Sequence, residues 1–265
     1  MNVLITGASG GLGRALAIEC AERGYNLFLT DINDTGLVSV KNGLERQFGT
    51  EIYIKCCDLT DEGETKTLIK FINNQDFKLD MLLNVAGIDY EGGFLQRGFE
   101  EIISILKLNI EATLRITREA LLCRRPDSNF YVVFVSSLAS MYPMPLKATY
   151  AASKRFLLDF SIALGQEMKK EKVTVLSLCP AGLATTPESI CGIEAQGFWG
   201  RVTANRLEKV AHQTISRVLK NRHLYIPGVM NRFLSIVGKV IPPAIIAKLL
   251  YVRWNKAQKK WLVIR

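Results

Sequence analysis

The sequence predicts an α/β protein: a single doubly wound domain around a mostly parallel seven-stranded sheet, followed by a basic, amphipathic C-terminal helical extension. Three observations predict it. Short runs rich in β-branched and aromatic residues alternate with longer segments of helical periodicity from residue 2 onward, the pattern of strand–helix–strand units. Most of the short runs are apolar throughout rather than alternating, as expected where helices cover both faces of a parallel sheet. No Pro/Gly/Ser-rich linker, internal repeat or low-complexity tract divides residues 1–228 of the 265, so one domain of ordinary size is expected there.

The elements follow in order. The first strand, Asn2–Thr6, begins at once, with no basic n-region or apolar h-region before it; no secretory signal is expected, and a cytoplasmic location is. Thr6-Gly-Ala-Ser-Gly-Gly-Leu-Gly13 then leads into a helix over Leu12–Arg23. Glycines at a strand-to-helix turn let the backbone approach a pyrophosphate, whose charge meets the free N–H groups and dipole of the helix start. Gly7, Ser9, Gly11, Leu12 and Gly13 are the candidate residues of that cradle. The second strand, Asn26–Asp31, ends on a carboxylate suited to the adenosine ribose hydroxyls and hostile to a 2′-phosphate. Neither Ile32 nor Asn33 supplies a cation for such a phosphate, so NAD is expected over NADP. Asp34 is the expected cap of the next helix, Thr35–Phe48.

Strands follow at Glu51–Cys57, Leu79–Val85, Phe130–Ser136, Val173–Cys179 and His223–Ile226. Helices are expected at Glu62–Asn74, Glu100–Cys123, Thr149–Lys170 and Leu207–Leu219. Within Thr149–Lys170, Tyr150-Ala-Ala-Ser-Lys154 sets two ionisable groups four apart on one helix face. A neighbouring ammonium favours the phenolate, which makes proton exchange with an alcohol practicable.

These motifs together resemble the short-chain dehydrogenase/reductase family, a Rossmann-type fold, in its single-domain T-G-x-x-x-G-x-G branch. Thr6–Gly13 matches the cofactor loop, Asp58-Leu59 the acidic pair after the third strand, and Asn84-Val-Ala-Gly87 the N-N-A-G turn, with Val85 for the second Asn. Asn109, Ser137, Tyr150 and Lys154 fall at intervals of 28, 13 and 4 residues, as the family pattern requires. The resemblance implies Tyr150 as general acid/base, Ser137 holding the substrate oxygen, Lys154 on the nicotinamide ribose and lowering the tyrosine pKa, and Asn109 holding a relay water. It implies Asp58 and Leu59 at the adenine, and Asn84, Ala86 and Gly87 at the cofactor. Pro180-Ala-Gly-Leu-Ala-Thr185 departs from the family's Pro-Gly by one place; Pro180, Gly182 and Thr185 are carried over as cofactor contacts. No metal is implied.

The segments Asp89–Phe99, Leu138–Leu146 and a lid over residues 183–205 offer Tyr90, Phe94, Met141, Tyr142, Met144, Phe198 and Trp199 to a substrate. Such a lining suits an apolar alcohol or ketone of steroid, bile-acid or fatty-chain type; packing of the loops onto the domain is the alternative at each position. The competing function is a catalytically idle relative that senses a dinucleotide or binds lipid.

The net charge of +9 is unevenly spread: residues 1–200 carry 20 Lys/Arg against 24 Asp/Glu, and residues 201–265 carry 14 against one. Within 229–265, Asn231–Ile241 and Ala244–Lys260 have apolar residues at helical spacing with bases between them. The pair fits packing on its own domain or another subunit, an amphipathic anchor on an anionic membrane, or, less well, a span interrupted by Lys239, Pro242, Pro243 and Lys248. Nucleic-acid binding is not expected, because no recognition motif accompanies the charge. A homo-oligomer, dimer or tetramer, is expected. Six scattered cysteines without a C-x-x-C pair, and only His212 and His223, argue against disulfides, a zinc site and a His-based triad.

Overall fold

The computed structural model describes residues 1–75, 78–185 and 187–264, with side chains described except at 187, 188 and 256–264. Seven strands form one sheet: β1 (Asn2–Thr6), β2 (Asn26–Asp31), β3 (Ile52–Cys56), β4 (Met81–Asn84), β5 (Phe130–Val135), β6 (Val173–Leu178) and β7 (Leu224–Tyr225). All pair in parallel, in the order β3-β2-β1-β4-β5-β6-β7. The order reverses between β1 and β4, the crevice where open α/β sheets bind ligands.

The helices are α1 (Gly11–Glu22), α2 (Asp34–Phe48), α3 (Glu62–Asn74), α4 (Phe99–Leu106), α5 (Thr113–Leu122), α6 (Ala148–Glu167), α7 (Pro187–Ala195), α8 (Phe198–Thr203), α9 (Leu207–Val218), α10 (Val229–Val240) and α11 (Pro243–Ile264). Two apolar clusters fill the layers. Leu16, Leu29, Leu83 and Ile215 lie in one, with α1 and α9; Phe28, Leu68, Leu82, Ile116 and Phe134 lie in the other, with α3 and α5. Continuous apolar strands serve both faces at once, which is why they read as unbroken runs.

Several boundaries differ from expectation for local reasons. Asn33, not Asp34, caps α2: its side chain accepts from Gly36 N–H at 3.0 Å. The strand expected through Val85 stops at Asn84, because the Val85 and Ala86 N–H groups turn to Thr6 Oγ1 at 3.1 and 3.2 Å. The helix expected over Glu100–Cys123 is interrupted by a π-helical segment, Lys107–Ala112, between α4 and α5. The lid folds as α7 and α8. His212 meets Glu19 of α1 at 3.1 Å, and His223 meets the Val175 carbonyl at 3.1 Å. The described residues hold no group of three or more His, Cys, Asp or Glu able to bind a metal.

The C-terminal pair lies against this same domain. Helix α10 packs on the 138–141 turn and on α8, and α11 packs on α7. No helix among the described residues is long and apolar enough to cross a membrane.

Candidate active site

The dinucleotide side of the site is fixed by backbone contacts that leave no space for side chains. Gly7 has φ +64°, and a Cβ there would stand 2.8 Å from the Ala86 backbone, so the turns after β1 and β4 touch only because residue 7 is glycine. A Cβ on Gly13 would lie 2.0 Å from the Gly7 carbonyl oxygen, and one on Gly11 2.8 Å from Thr185 Cβ. Helix α1 opens on Gly10 with no side-chain cap and no acidic residue in its first turn, whereas Asn33 and Asp61 cap α2 and α3. An uncapped start leaves N–H groups to meet an anion.

Asp31 stands beside this loop. Its Oδ2 accepts from Ser9 N–H and its Oδ1 from Asn33 N–H, both at 3.0 Å. Each oxygen therefore keeps a second lone pair for a ligand hydroxyl. Asp58 holds its own turn, accepting from Thr60 N–H at 2.8 Å and Thr60 Oγ1 at 2.7 Å. The side chains of Leu12 and Leu59 are buried in the two cores, so only their main chains can serve a cofactor. The Asn84 side-chain amide donates to Thr117 Oγ1 of α5 at 2.9 Å, which ties the turn after β4 to the domain.

The reacting side is built from β5, the π segment and α6. Ser136 Oγ donates to the Lys154 carbonyl at 2.7 Å, tying α6 to the end of β5. Ser137, in extended conformation, accepts from Ala139 N–H at 3.1 Å. Asn109 is fully buried in the π segment, and its side chain makes both hydrogen bonds to the Ile88 main chain at 2.9 Å, with Ser153 Oγ at 3.2 Å. The wider π turn, a device common at functional sites, aims this amide across the crevice. Lys154 is buried, donates to the Val135 carbonyl at 2.9 Å and lies 5.7 Å from the Tyr150 ring centre. Gly87 shows how closely these meet: a Cβ there would be 3.0 Å from Asn109 Oδ1 and 3.1 Å from Lys154 Nζ.

The Tyr150 pKa is pushed up to about 12, first by burial and then by Asp89, with Lys147 and Ser137 opposing. Burial lowers Lys154 to about 8, against the influence of Asp89 and Cys179. The expected depression of the tyrosine is therefore not what this arrangement produces: removal from water outweighs nearby charge. At neutral pH the phenol holds its proton and Lys154 is charged.

Sequence reasoning missed a second cation. Lys147 Nζ pairs with Asp89 at 2.5 Å and Glu91 at 3.3 Å. It also stands 5.7 Å from the Tyr150 ring centre and 5.5 Å from that of Trp254 on α11. Its carboxylate partners hold its pKa above the usual lysine value despite burial. The residue before it, Leu146, has φ +66°, a rare conformation for a bulky side chain. Its carbonyl accepts from Gly92 N–H at 2.8 Å. Proximity to Tyr150 in sequence was the only signal for Lys147; nothing marked Trp254.

A cavity of about 360 Å³ opens beside Tyr150, walled by Tyr90, Phe94, Ile102, Ile105, Lys147 and, from α11, Tyr251 and Asn255. Ser137, Asn109 and Lys154 do not line it, so it is a space next to the reacting groups rather than one that contains them. Of the seven side chains expected at the substrate, Tyr90 and Phe94 line this cavity. Met141 is instead buried with Leu138, Leu158 and Cys179, and Tyr142 packs on that cluster. Phe198 and Trp199 are exposed on α8, with Arg253 over the Trp199 ring. Thr185 binds the lid, its N–H donating to Ser189 Oγ at 2.9 Å, while Gly182 leaves room for Ile193 of α7.

The sequence profile described as short chain dehydrogenase matches residues 1–189. The chain belongs to the short-chain dehydrogenase family. A very-long-chain 3-oxoacyl-CoA reductase of Laccaria bicolor is 30% identical over 176 residues, covering 65% of this chain and 52% of that protein. The chain thus matches about half the length of that curated relative. Among solved structures, L-sorbose reductase of Gluconobacter frateurii, complexed with NADPH and L-sorbose, superposes with a TM-score of 0.77 at 18% identity, covering 86% of this chain and 94% of that one. A short-chain dehydrogenase/reductase of Burkholderia phymatum in complex with NAD gives 0.76 at 20% identity, covering 85% and 88%. At these identities the structural likeness concerns the fold alone.

Proposed function

We propose that this chain is an NAD-dependent oxidoreductase that interconverts a secondary alcohol and a ketone on an apolar substrate of steroid, bile-acid or fatty-chain type. The observation that carries it is the meeting of Asn109 and Lys154 at Gly87, with Lys154 Nζ 5.7 Å from the Tyr150 ring centre. The glycine cradle suits a dinucleotide, since α1 opens without a side-chain cap or a first-turn acid and leaves its N–H groups to an anion. Gly7, Ser9, Gly11 and Gly13, with the main chain of Leu12, would hold the pyrophosphate. Asp31 would take the adenosine ribose, Asp58 and the main chain of Leu59 the adenine, and Ala86, Gly87, Pro180, Gly182 and Thr185 the nicotinamide half. The bound cofactor supplies or accepts the hydride.

The chain's own part is proton transfer and positioning. Tyr150, protonated at neutral pH, donates to a ketone oxygen in reduction; in oxidation it takes the hydroxyl proton. Ser137 holds that same oxygen. Lys154, 5.7 Å from the Tyr150 ring centre, would hold the nicotinamide ribose, and Asn109 would hold a water that continues the relay toward solvent.

NAD is preferred because the Asp31 carboxylate would face a 2′-phosphate with like charge. The apolar substrate class rests on Tyr90, Phe94, Ile102 and Ile105 around the cavity, and the similarity to the very-long-chain 3-oxoacyl-CoA reductase of Laccaria is in keeping with it. The test is oxidation of a panel of hydroxysteroids, bile acids, long-chain secondary alcohols and polyols, each with NAD and NADP. Turnover of an apolar member with NAD is expected. Turnover of polyols alone, or equal use of both cofactors, would overturn the corresponding half of the reading. Tight NADH binding without turnover of any member would fit the idle, dinucleotide-sensing alternative.

A further inference from the structure

Helix α10 is amphipathic the wrong way round for a helix packed on a domain in water. The centre of its inner face is polar or small, with Leu234 and Val237 half-buried beside it. Asn231 is 1% exposed and donates to the Pro227 carbonyl at 2.7 Å and the Thr203 carbonyl at 2.9 Å. Ser235 is buried, and Gly238 lets the Tyr142 ring approach within 2.7 Å of where its Cβ would be. The outer face carries Val229, Phe233, Ile236 and Val240, each 59–78% exposed. Their spacing of four, three and four residues sets them in one stripe along the helix. Across Pro242-Pro243 the pattern resumes on α11, where Ile245, Leu249 and Val252 are each 51–62% exposed at spacings of four and three. Two consecutive helices thus each leave an apolar stripe exposed to solvent, which soluble domains rarely do.

Charge decides the occupant. Arg232, Lys239 and Lys248 are exposed beside the stripe, and Glu208 is the only acid among residues 201–265, which carry 14 bases. A second copy docked through this face by two-fold symmetry would set two such segments against each other, like charge on like. An anionic lipid surface supplies both an apolar interior for the stripe and counter-charge for its flanks.

We propose that the outward faces of α10 and α11 seat the protein on an anionic membrane surface, lying in the interface rather than crossing it. Tyr251 and Asn255 of the same α11 wall the cavity beside Tyr150, so the membrane contact and the cavity share one helix. The proposal does not depend on the reaction.

The experiment is flotation of the full chain with vesicles of equal phosphatidylglycerol and phosphatidylcholine, and with phosphatidylcholine alone. Circular dichroism and sedimentation velocity are run on the parent and on a variant carrying Phe233→Gln and Ile236→Gln. Both residues are exposed, so the variant keeps its fold. Binding to the anionic vesicles, weakened by high salt and roughly tenfold or more by the double substitution, is expected. No binding to them, or binding unchanged in a folded variant, overturns the proposal. So does a parent dimer, without vesicle binding, that the double substitution converts to monomer; that outcome assigns the face to a second copy.

Discussion

The two halves of this molecule solve the problem of building a site in different ways. In the dinucleotide half, strand ends and glycines bring main chain against main chain: Gly13 on Gly7, Gly7 on Ala86, Ser9 N–H on Asp31. In the C-terminal half, apart from the main-chain approach of Gly200 on α8 to the Ile193 carbonyl of α7, the contacts run through side chains, with Gly238 on the Tyr142 ring, Arg253 on Trp199 and Lys147 under Trp254. Main-chain contacts tolerate no extra atom, whereas side-chain contacts can be repacked. The first half is therefore rigid and bound to a sequence motif, and the second is free to vary with what it contacts.

Substitutions in each half test that difference. Gly13→Ala forces a Cβ to within 2.0 Å of a carbonyl oxygen; a loss of about 1–3 kcal/mol or more is expected, with no thermal stabilisation by added NADH. Thermal melts with and without NADH check it, and a variant that melts and binds like the parent would break the contrast. Asp31→Ala is expected to weaken NAD about tenfold, on the order of one charged hydrogen bond, while NADP binding holds or improves; titration of both cofactors measures this. Gly238→Ala meets a ring that can shift, so a loss of stability smaller than that of Gly13→Ala is expected with cofactor affinity unchanged, measured by the same melts.

The smallest effects concern pH. Asp89 raises the Tyr150 pKa and Lys147 lowers it. Oxidation needs the phenolate and so rises with pH toward that pKa. Asp89→Asn should move the rise to lower pH and Lys147→Met to higher pH, a few-fold change in rate at a fixed alkaline pH. Paired pH–rate profiles of the two variants provide the check, and shifts in the same direction would contradict the electrostatic assignment.

Much of the first half was legible in the sequence because its constraints act residue by residue. A strand end that must turn tightly demands glycine at 7, 11 and 13, and the helix period alone puts Tyr150 and Lys154 on one face. What escaped depends on contacts distant in sequence. The π segment at Asn109 leaves the apolar periodicity of α4 and α5 almost undisturbed, so one continuous helix was expected. The cap at Asn33 rather than Asp34 turns on one backbone angle. Leu146 in the left-handed region had no glycine to announce it. The amphipathic pattern of α10 was readable, but not which face the domain would take; polar anchors from Asn231 to Thr203 and Pro227 turned the apolar face outward. Lys147 reads as an ordinary surface lysine until Asp89, Glu91 and Trp254 are folded around it.

The central claim is that Tyr150 carries the proton in a nicotinamide-linked reaction. The most direct measurement is the rate of NADH formation with an apolar secondary alcohol from the panel, for the parent and for Tyr150→Phe, with NADH affinity measured in both. A fall of about a hundredfold or more with affinity retained is predicted, the range that general acid–base catalysis supplies. Turnover by Tyr150→Phe equal to the parent's would contradict the account.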